Sequence, residues 1–66
     1  MKKQMFVEVD FKPRDRVKIG PVTGVIASVI LGYSEVKYEV QYWCDDRPVS
    51  VVGEAWEIEL VEAFVE

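Results

Sequence analysis

The chain has 66 residues, of which 50% are hydrophobic and 30% are charged, and its formal net charge is −4. Because a domain this small buries only about 60% of the surface of its unfolded chain, partner chains would add stability, and we expect a homo-oligomer. The single cysteine excludes an internal disulfide, and histidine, the commonest general base and metal ligand, is absent. We therefore expect no enzymatic activity, no cofactor and no metal.

The abundance of valine favours strands over helices. Thirteen valines and four isoleucines occur in the chain, and β-branched side chains lose rotamer freedom in helices but pack well on sheets. Residues 1–10 start with a basic stretch but contain no continuous apolar core. They therefore predict an N-terminal extension or an extra strand rather than a signal peptide, and we expect a cytoplasmic protein.

Two strands are predicted in the first half of the chain. In Arg16–Ile19 apolar and basic residues alternate, which is typical of a half-buried strand, and a Gly-Pro turn follows it. Thr23–Leu31 is a longer strand whose Gly24 suggests a bulge or bend. Its odd positions are expected to face the core, which leaves Ile26 and Ile30 on the outer face as a candidate partner interface.

The second half predicts a hairpin followed by a closing element. Val36–Trp43 has the cleanest alternation, with Tyr38 and Tyr42 on its apolar face and Trp43 on its polar face. A polar connection over residues 44–48 leads to a fourth strand over residues 49–52.

The C-terminal segment has two interpretations. Gly53–Glu57 can form a single helical turn, with Trp56 plugging one end of the fold, before a short strand over Ile58–Val61 and a tail over residues 63–66. Alternatively, Glu54–Phe64 has the spacing of one amphipathic helix. The regular spacing of the preceding strands favours the turn and strand.

Several short motifs resemble those of small SH3-like barrels of the KOW, Tudor and prophage-encoded types. Phe11–Val17 is similar to an F-x-x-G-D-x-V opening, and Thr23–Ile26 is similar to a T-G-x-V second strand. Arg14 departs from the pattern, which usually has glycine there. The resemblance implies a five-stranded SH3-like barrel over residues 11–62, with a short helical turn before the last strand, encoded on a mobile element such as a prophage.

A weaker resemblance concerns the type II dihydrofolate reductases, which open with a similar F-x-x-G-D-R-V stretch. In that family four chains form one pore for folate and NADPH, using a V-Q-x-Y strand. The matching segment here has Ser50 in place of the glutamine and Val52 in place of the tyrosine. The groups that would contact both ligands are therefore missing at these positions, and a tetrameric enzyme of this type stays a remote alternative function.

These features favour a non-catalytic protein-interaction or assembly module. An alternative is an aromatic groove or cage for basic or methylated peptides, in which rings and carboxylates attract a cation. Residues 34–66 hold nine acidic and two basic residues, which suits a basic partner and argues against nucleic acid as a general ligand. The candidate ligand-binding residues are Trp43, Tyr33, Asp45 and Asp46.

Overall fold

The computed structural model describes residues 9–65, and within that range the protein is all-β, as predicted. Five strands and one 3-10 turn account for its regular structure, and none of the described residues forms a helix able to cross a membrane. The strands are β1 (Arg16–Ile19), β2 (Val22–Leu31), β3 (Val36–Cys44), β4 (Arg47–Glu54) and β5 (Ile58–Glu62), and the 3-10 turn spans Ala55–Glu57.

All five strands belong to one antiparallel sheet in the order β4-β3-β2-β1-β5. Short connections join β1 to β2, β2 to β3 and β3 to β4, so these neighbours in sequence are also neighbours in the sheet. After β4 the 3-10 turn leads the chain across to the far side of β1, where β5 pairs. The turn-and-strand interpretation is therefore confirmed, and the single helix over Glu54–Phe64 is wrong. The predicted extension over residues 1–10 lies largely outside the described residues.

The core lies on one face of β3 and follows the predicted alternation. Tyr38 and Val40 are almost fully buried, whereas Gln41 and Trp43 are exposed. The ring of Tyr38 meets Phe11 edge-on at 5.2 Å between centroids, and its hydroxyl oxygen accepts a hydrogen bond from the backbone N–H of Asp10 at 2.9 Å. The buried apolar side chains are Phe11, Val17, Ile26, Tyr38, Val40 and Ile58.

The prediction for the faces of β2 is wrong in the first half of the strand. Ile26, predicted to face outward, is 1% exposed in the core, whereas Val25 is 42% exposed. A bulge at Ala27 explains the change: Ile26 pairs with Val40, but the next paired residue is Ser28. One extra residue exchanges the two faces of a strand. Ile26 is therefore unavailable to a partner.

In the second half of β2 the prediction is correct for Val29 and Ile30 but wrong for Leu31, which is 61% exposed instead of facing the core. Val29 pairs with the buried Tyr38 and is partly buried against the core. Ile30 pairs with Lys37 on the opposite face and is 42% exposed. Of the two isoleucines predicted to form a partner interface, only Ile30 is available at the surface.

The β3–β4 hairpin turns through two residues held in the left-handed region. Asp45 has φ +51° and Asp46 has φ +63°, and the strands close at the Cys44–Arg47 pair. Positive φ at both central positions matches the type I′ turn, which favours asparagine followed by glycine. Aspartate tolerates this region less well than glycine does, so the turn holds backbone strain.

Replacing the two turn residues by Asn-Gly is expected to stabilise the protein by about 1 kcal/mol, because glycine adopts positive φ without a steric cost. In a domain of this size the melting temperature should rise by roughly 4–8 °C. The matched control is Asp45→Asn with Asp46→Asn, which removes the same two charges without adding glycine. If the two double variants have equal melting temperatures, the rise comes from removing the two charges, and the turn does not hold backbone strain.

Candidate functional site

A groove of about 410 Å³ lies beside the indole of Trp43, close to the end of β3. Trp43 is 71% exposed, although tryptophan is among the largest apolar side chains. Strands β1, β2, β3 and β5 all contribute to the groove. Its lining side chains are Arg16, Thr23, Val25, Tyr42, Trp43 and Val61.

The register of the sheet brings these residues together. Val25 pairs with Arg16 on one side and with Gln41 on the other, so it joins β1 to β3 across the groove. Val25 faces outward because the bulge exchanges the two faces of β2. Without the bulge, Val25 would lie on the same face as Val29.

A second irregularity, in β5, adds Val61 to the groove. Leu60 pairs with Val17 and Glu62 pairs with Arg16, which leaves Val61 as the extra residue between them. A bulge of this kind bends its strand and redirects a side chain. Val61 is 53% exposed. The groove therefore depends on both irregular positions of the sheet.

The lining of the groove has one charged side chain. Arg16 is exposed, and its neighbour in the ladder is Glu62, which does not line the groove. The remaining lining side chains are apolar or aromatic, apart from the hydroxyl of Thr23. An apolar segment with an acidic flank would match this surface, because Arg16 offers a planar set of donors for a carboxylate.

Of the predicted ligand-binding residues, Trp43, Asp45 and Asp46 lie close together in the fold. The two aspartates form the turn that follows Trp43, and both are exposed. Tyr33 lies in the β2–β3 connection, before Val36 at the opposite end of β3. The seven residue steps from Val36 to Trp43 span about 23 Å at about 3.3 Å per step. Tyr33 is therefore too far away to share a site with Trp43.

Sequence reasoning missed Arg16, Val25 and Val61 as parts of the groove. The alternation in Arg16–Ile19 indicates only a half-buried strand, and the odd position of Val25 in β2 predicts a core side chain. Val61 belongs to an apolar pair, Leu60-Val61, whose lack of alternation was the one available sign of a bulge. The register of β5 against β1 was needed to place it beside Trp43.

Trp56, predicted to plug one end of the fold, lies at the surface. It is 80% exposed, and its indole N–H donates a hydrogen bond to a carboxylate oxygen of Glu54. The backbone N–H of Glu54 donates to Glu57 at 3.0 Å, as part of a capping box around the 3-10 turn. The core at this end is filled by Ile58 and Ile19 instead.

A second groove, of about 680 Å³, lies between the 12–14 segment and the end of the chain. It is lined by Lys12, Pro13, Arg14, Phe64 and Val65. The guanidinium carbon of Arg14 lies 5.2 Å from the centroid of the Phe64 ring, which is a cation–π arrangement. Arg14 has φ +78°, a backbone conformation that glycine adopts more readily than other residues.

Asp15 is a buried polar residue that joins the two sides of this second groove. Its carboxylate accepts hydrogen bonds from the backbone N–H of Lys12 at 3.0 Å, the ammonium of Lys12 at 2.9 Å and the backbone N–H of Phe64 at 2.8 Å. Burial alone would raise the pKa of Asp15, but these donors outweigh it and hold the pKa below its ordinary value. Asp15 therefore links the C-terminal segment to the start of the sheet.

Comparison with protein-family models, curated proteins and solved structures finds no match to this chain. Among the described residues, no group of three or more cysteine, aspartate or glutamate side chains is arranged to hold a metal ion. The geometry of the two grooves is therefore the basis for assigning a function.

Proposed function

We propose that this protein is a small non-catalytic binding module that recognises a protein segment in the groove beside Trp43. The observation that carries the proposal is the exposed indole of Trp43 in a concave surface that also contains Val25 and Val61. Exposed aromatic side chains in concave, largely apolar surroundings are the usual anchors of protein recognition.

The proposal extends to the fold, which we infer to be an SH3-like barrel. Three features support it: the strand order, the long bulged β2 that pairs with both β1 and β3, and the 3-10 turn immediately before β5. The positive φ of Arg14 at the position of the usual glycine adds support from the backbone. Closure of the sheet would require β4 and β5 to approach each other at their free edges.

The chemistry of the groove favours an apolar or aromatic side chain with an acidic neighbour. Methylated or basic ligands would need a carboxylate against the rings. The carboxylates of Asp45 and Asp46 are close to Trp43 but lie outside the lining of the groove, whose charged residue is Arg16. A carboxylate on the ligand would pair with that guanidinium, while the apolar side chain covers Val25 and the indole. This specificity differs from the basic peptide expected from net charge alone, because local charge at the groove decides recognition.

Trp43→Ala is expected to weaken binding at least tenfold while changing the free energy of unfolding by less than about 1 kcal/mol, since the indole is mostly exposed. Phage-displayed random peptides selected on the wild-type protein would supply the probes, and calorimetry would measure their affinity for each variant. Urea denaturation would measure stability.

Tyr33→Ala is the matched control, because Tyr33 is an exposed aromatic residue at the other end of β3. It should leave the affinity of the selected peptides unchanged. Peptides that bind Trp43→Ala as tightly as the wild type would place recognition elsewhere and overturn the proposal. A selection that enriches no binding peptide would overturn it as well.

A further inference from the structure

Trp56 is a second exposed indole, and a hydrogen bond restrains its orientation. It is 80% exposed, yet its N–H donates to the carboxylate of Glu54, and the capping box between Glu54 and Glu57 fixes the turn that carries it. An aromatic side chain held in one orientation loses little conformational entropy when it enters a pocket. Trp56 therefore has the properties of a preformed anchor.

The charge of the 3-10 turn around Trp56 is opposite to that of the charged side chain lining the Trp43 groove. The acidic residues Asp45, Asp46 and Glu62 lie outside that lining. The turn contains two carboxylates, on Glu54 and Glu57, and no basic residue. The charged side chain that lines the groove is Arg16. An indole flanked by carboxylates is thus the kind of segment that the proposed function assigns to the groove.

Trp56 cannot occupy the groove of its own chain. Glu54, which caps the turn, pairs with Lys37 near the start of β3, whereas Trp43 pairs with Pro48 near its end. The six residue steps from Lys37 to Trp43 correspond to about 20 Å of strand. Trp56 and the Trp43 groove lie at different ends of the sheet, so Trp56 can enter such a groove only on a second copy.

We propose that Trp56 of one copy docks into the Trp43 groove of a second copy, with Glu54 or Glu57 facing the partner's Arg16. This inference rests on the proposed function, because it names the ligand of the same groove. The contact joins two different surfaces, so each chain offers one anchor and one groove. Such head-to-tail contacts form a ring when the rotation between copies closes and an open chain when it does not.

Sedimentation equilibrium of the wild type, Trp43→Ala and Trp56→Ala tests this contact. The wild type is expected to assemble beyond the monomer with rising concentration, whereas each variant alone stays monomeric. Mixing the two variants provides the decisive sample. Trp43→Ala keeps its anchor and Trp56→Ala keeps its groove, so an equimolar mixture should form dimers that cannot grow further.

Tyr33→Ala serves again as the control and should assemble like the wild type. Arg16→Gln should weaken assembly several-fold, because it removes the charge that faces the partner's carboxylates while keeping a similar shape. Circular dichroism checks that each variant is folded. Since both tryptophans are largely exposed, their replacement is expected to leave the fold intact.

A wild type that remains monomeric up to about 1 mM, the weak end of specific affinity, would overturn the inference. Assembly of Trp56→Ala at the wild-type level, or a mixture that forms no dimer, would overturn it too. Each of these results leaves the proposed function standing if the selected peptides still depend on Trp43. Peptides whose binding does not depend on Trp43 would instead rule out the groove as the binding site, and the proposed function with it.

Discussion

Replacing Asp15 with asparagine is expected to destabilise the protein by about 2–4 kcal/mol. The buried carboxylate accepts two backbone N–H groups and the Lys12 ammonium. An amide has one acceptor oxygen and turns its NH₂ towards these donors, so it loses the ion pair and leaves a donor unpaired. For a chain of 66 residues the whole stability is roughly 3–10 kcal/mol, so the loss is a large part of it.

The same carboxylate makes stability depend on pH in acid. Its pKa is lowered in the folded protein, whereas an unfolded aspartate has a pKa of about 3.9. The contribution of Asp15 is therefore fully present above the unfolded pKa and is lost as the pH falls through the lower, folded value. Urea denaturation between about pH 2 and pH 7 should show a smaller acid loss in Asp15→Asn than in the wild type.

Asp10→Asn is the control for this comparison, because the Asp10 side chain is exposed. It should change stability by less than about 0.5 kcal/mol at neutral pH. If Asp15→Asn unfolds at the same urea concentration as Asp10→Asn, the carboxylate does not hold the C-terminal segment. An acid profile of Asp15→Asn parallel to that of the wild type would contradict the lowered pKa.

Replacing Gly24 with alanine is expected to cost about 3 kcal/mol or more. A Cβ atom at this position would lie 2.5 Å from the carbonyl oxygen of Gln41 and 2.9 Å from a methyl group of Val40. The carbonyl belongs to the backbone of β3, so relief requires β2 and β3 to separate where both line the core. Inserting atoms into a close-packed region usually costs 1–3 kcal/mol, and backbone cannot move as a side chain can.

Gly53→Ala is the matched control, since Gly53 is also a buried glycine in a strand. Its Cβ would meet the terminal methyl group of Ile19 at 2.7 Å, and that side-chain end can rotate away. Gly24→Ala should therefore unfold at a clearly lower temperature than Gly53→Ala. Equal melting temperatures would show that the Gly24 contact with Gln41 can relax, contrary to this prediction.

The strands that alternate strictly were predictable from the sequence. In β3 the buried Tyr38 and Val40 and the exposed Trp43 follow from period-two patterning alone, and β1 has the predicted bounds. The turn and strand at the C-terminus were also predictable from the sequence, because the spacing of the earlier strands favoured a further strand over a helix.

The faces of β2 could not be predicted, because both faces of the strand are apolar. A bulge at Ala27 carries no residue signature within such a run, and only pairing with Val40 and Glu39 on β3 reveals it. The same limit applies to the groove. Val61 and Arg16 reach Trp43 through the register of four strands, which is a long-range property that local patterning does not contain.

Trp56 shows a different limit of sequence reasoning. Its apolarity predicted burial, but hydrophobicity gives the tendency of a residue and not its place in a particular fold. The Glu54 carboxylate that holds the indole at the surface lies two residues away. The sequence E-A-W-E would have allowed this contact to be suggested, although it equally allows the buried alternative.

The two outer strands of the sheet carry features that discourage backbone pairing between molecules. Within residues 9–65 these outer strands are β4 and β5. Pro48 removes one N–H donor from β4, while Glu59 and Glu62 place negative charge along β5. Proline and repelling charges at a sheet edge protect proteins against amyloid-like growth. Concentrated solutions should therefore resist amyloid-like fibre formation through strand pairing, and contacts between molecules are left to side chains.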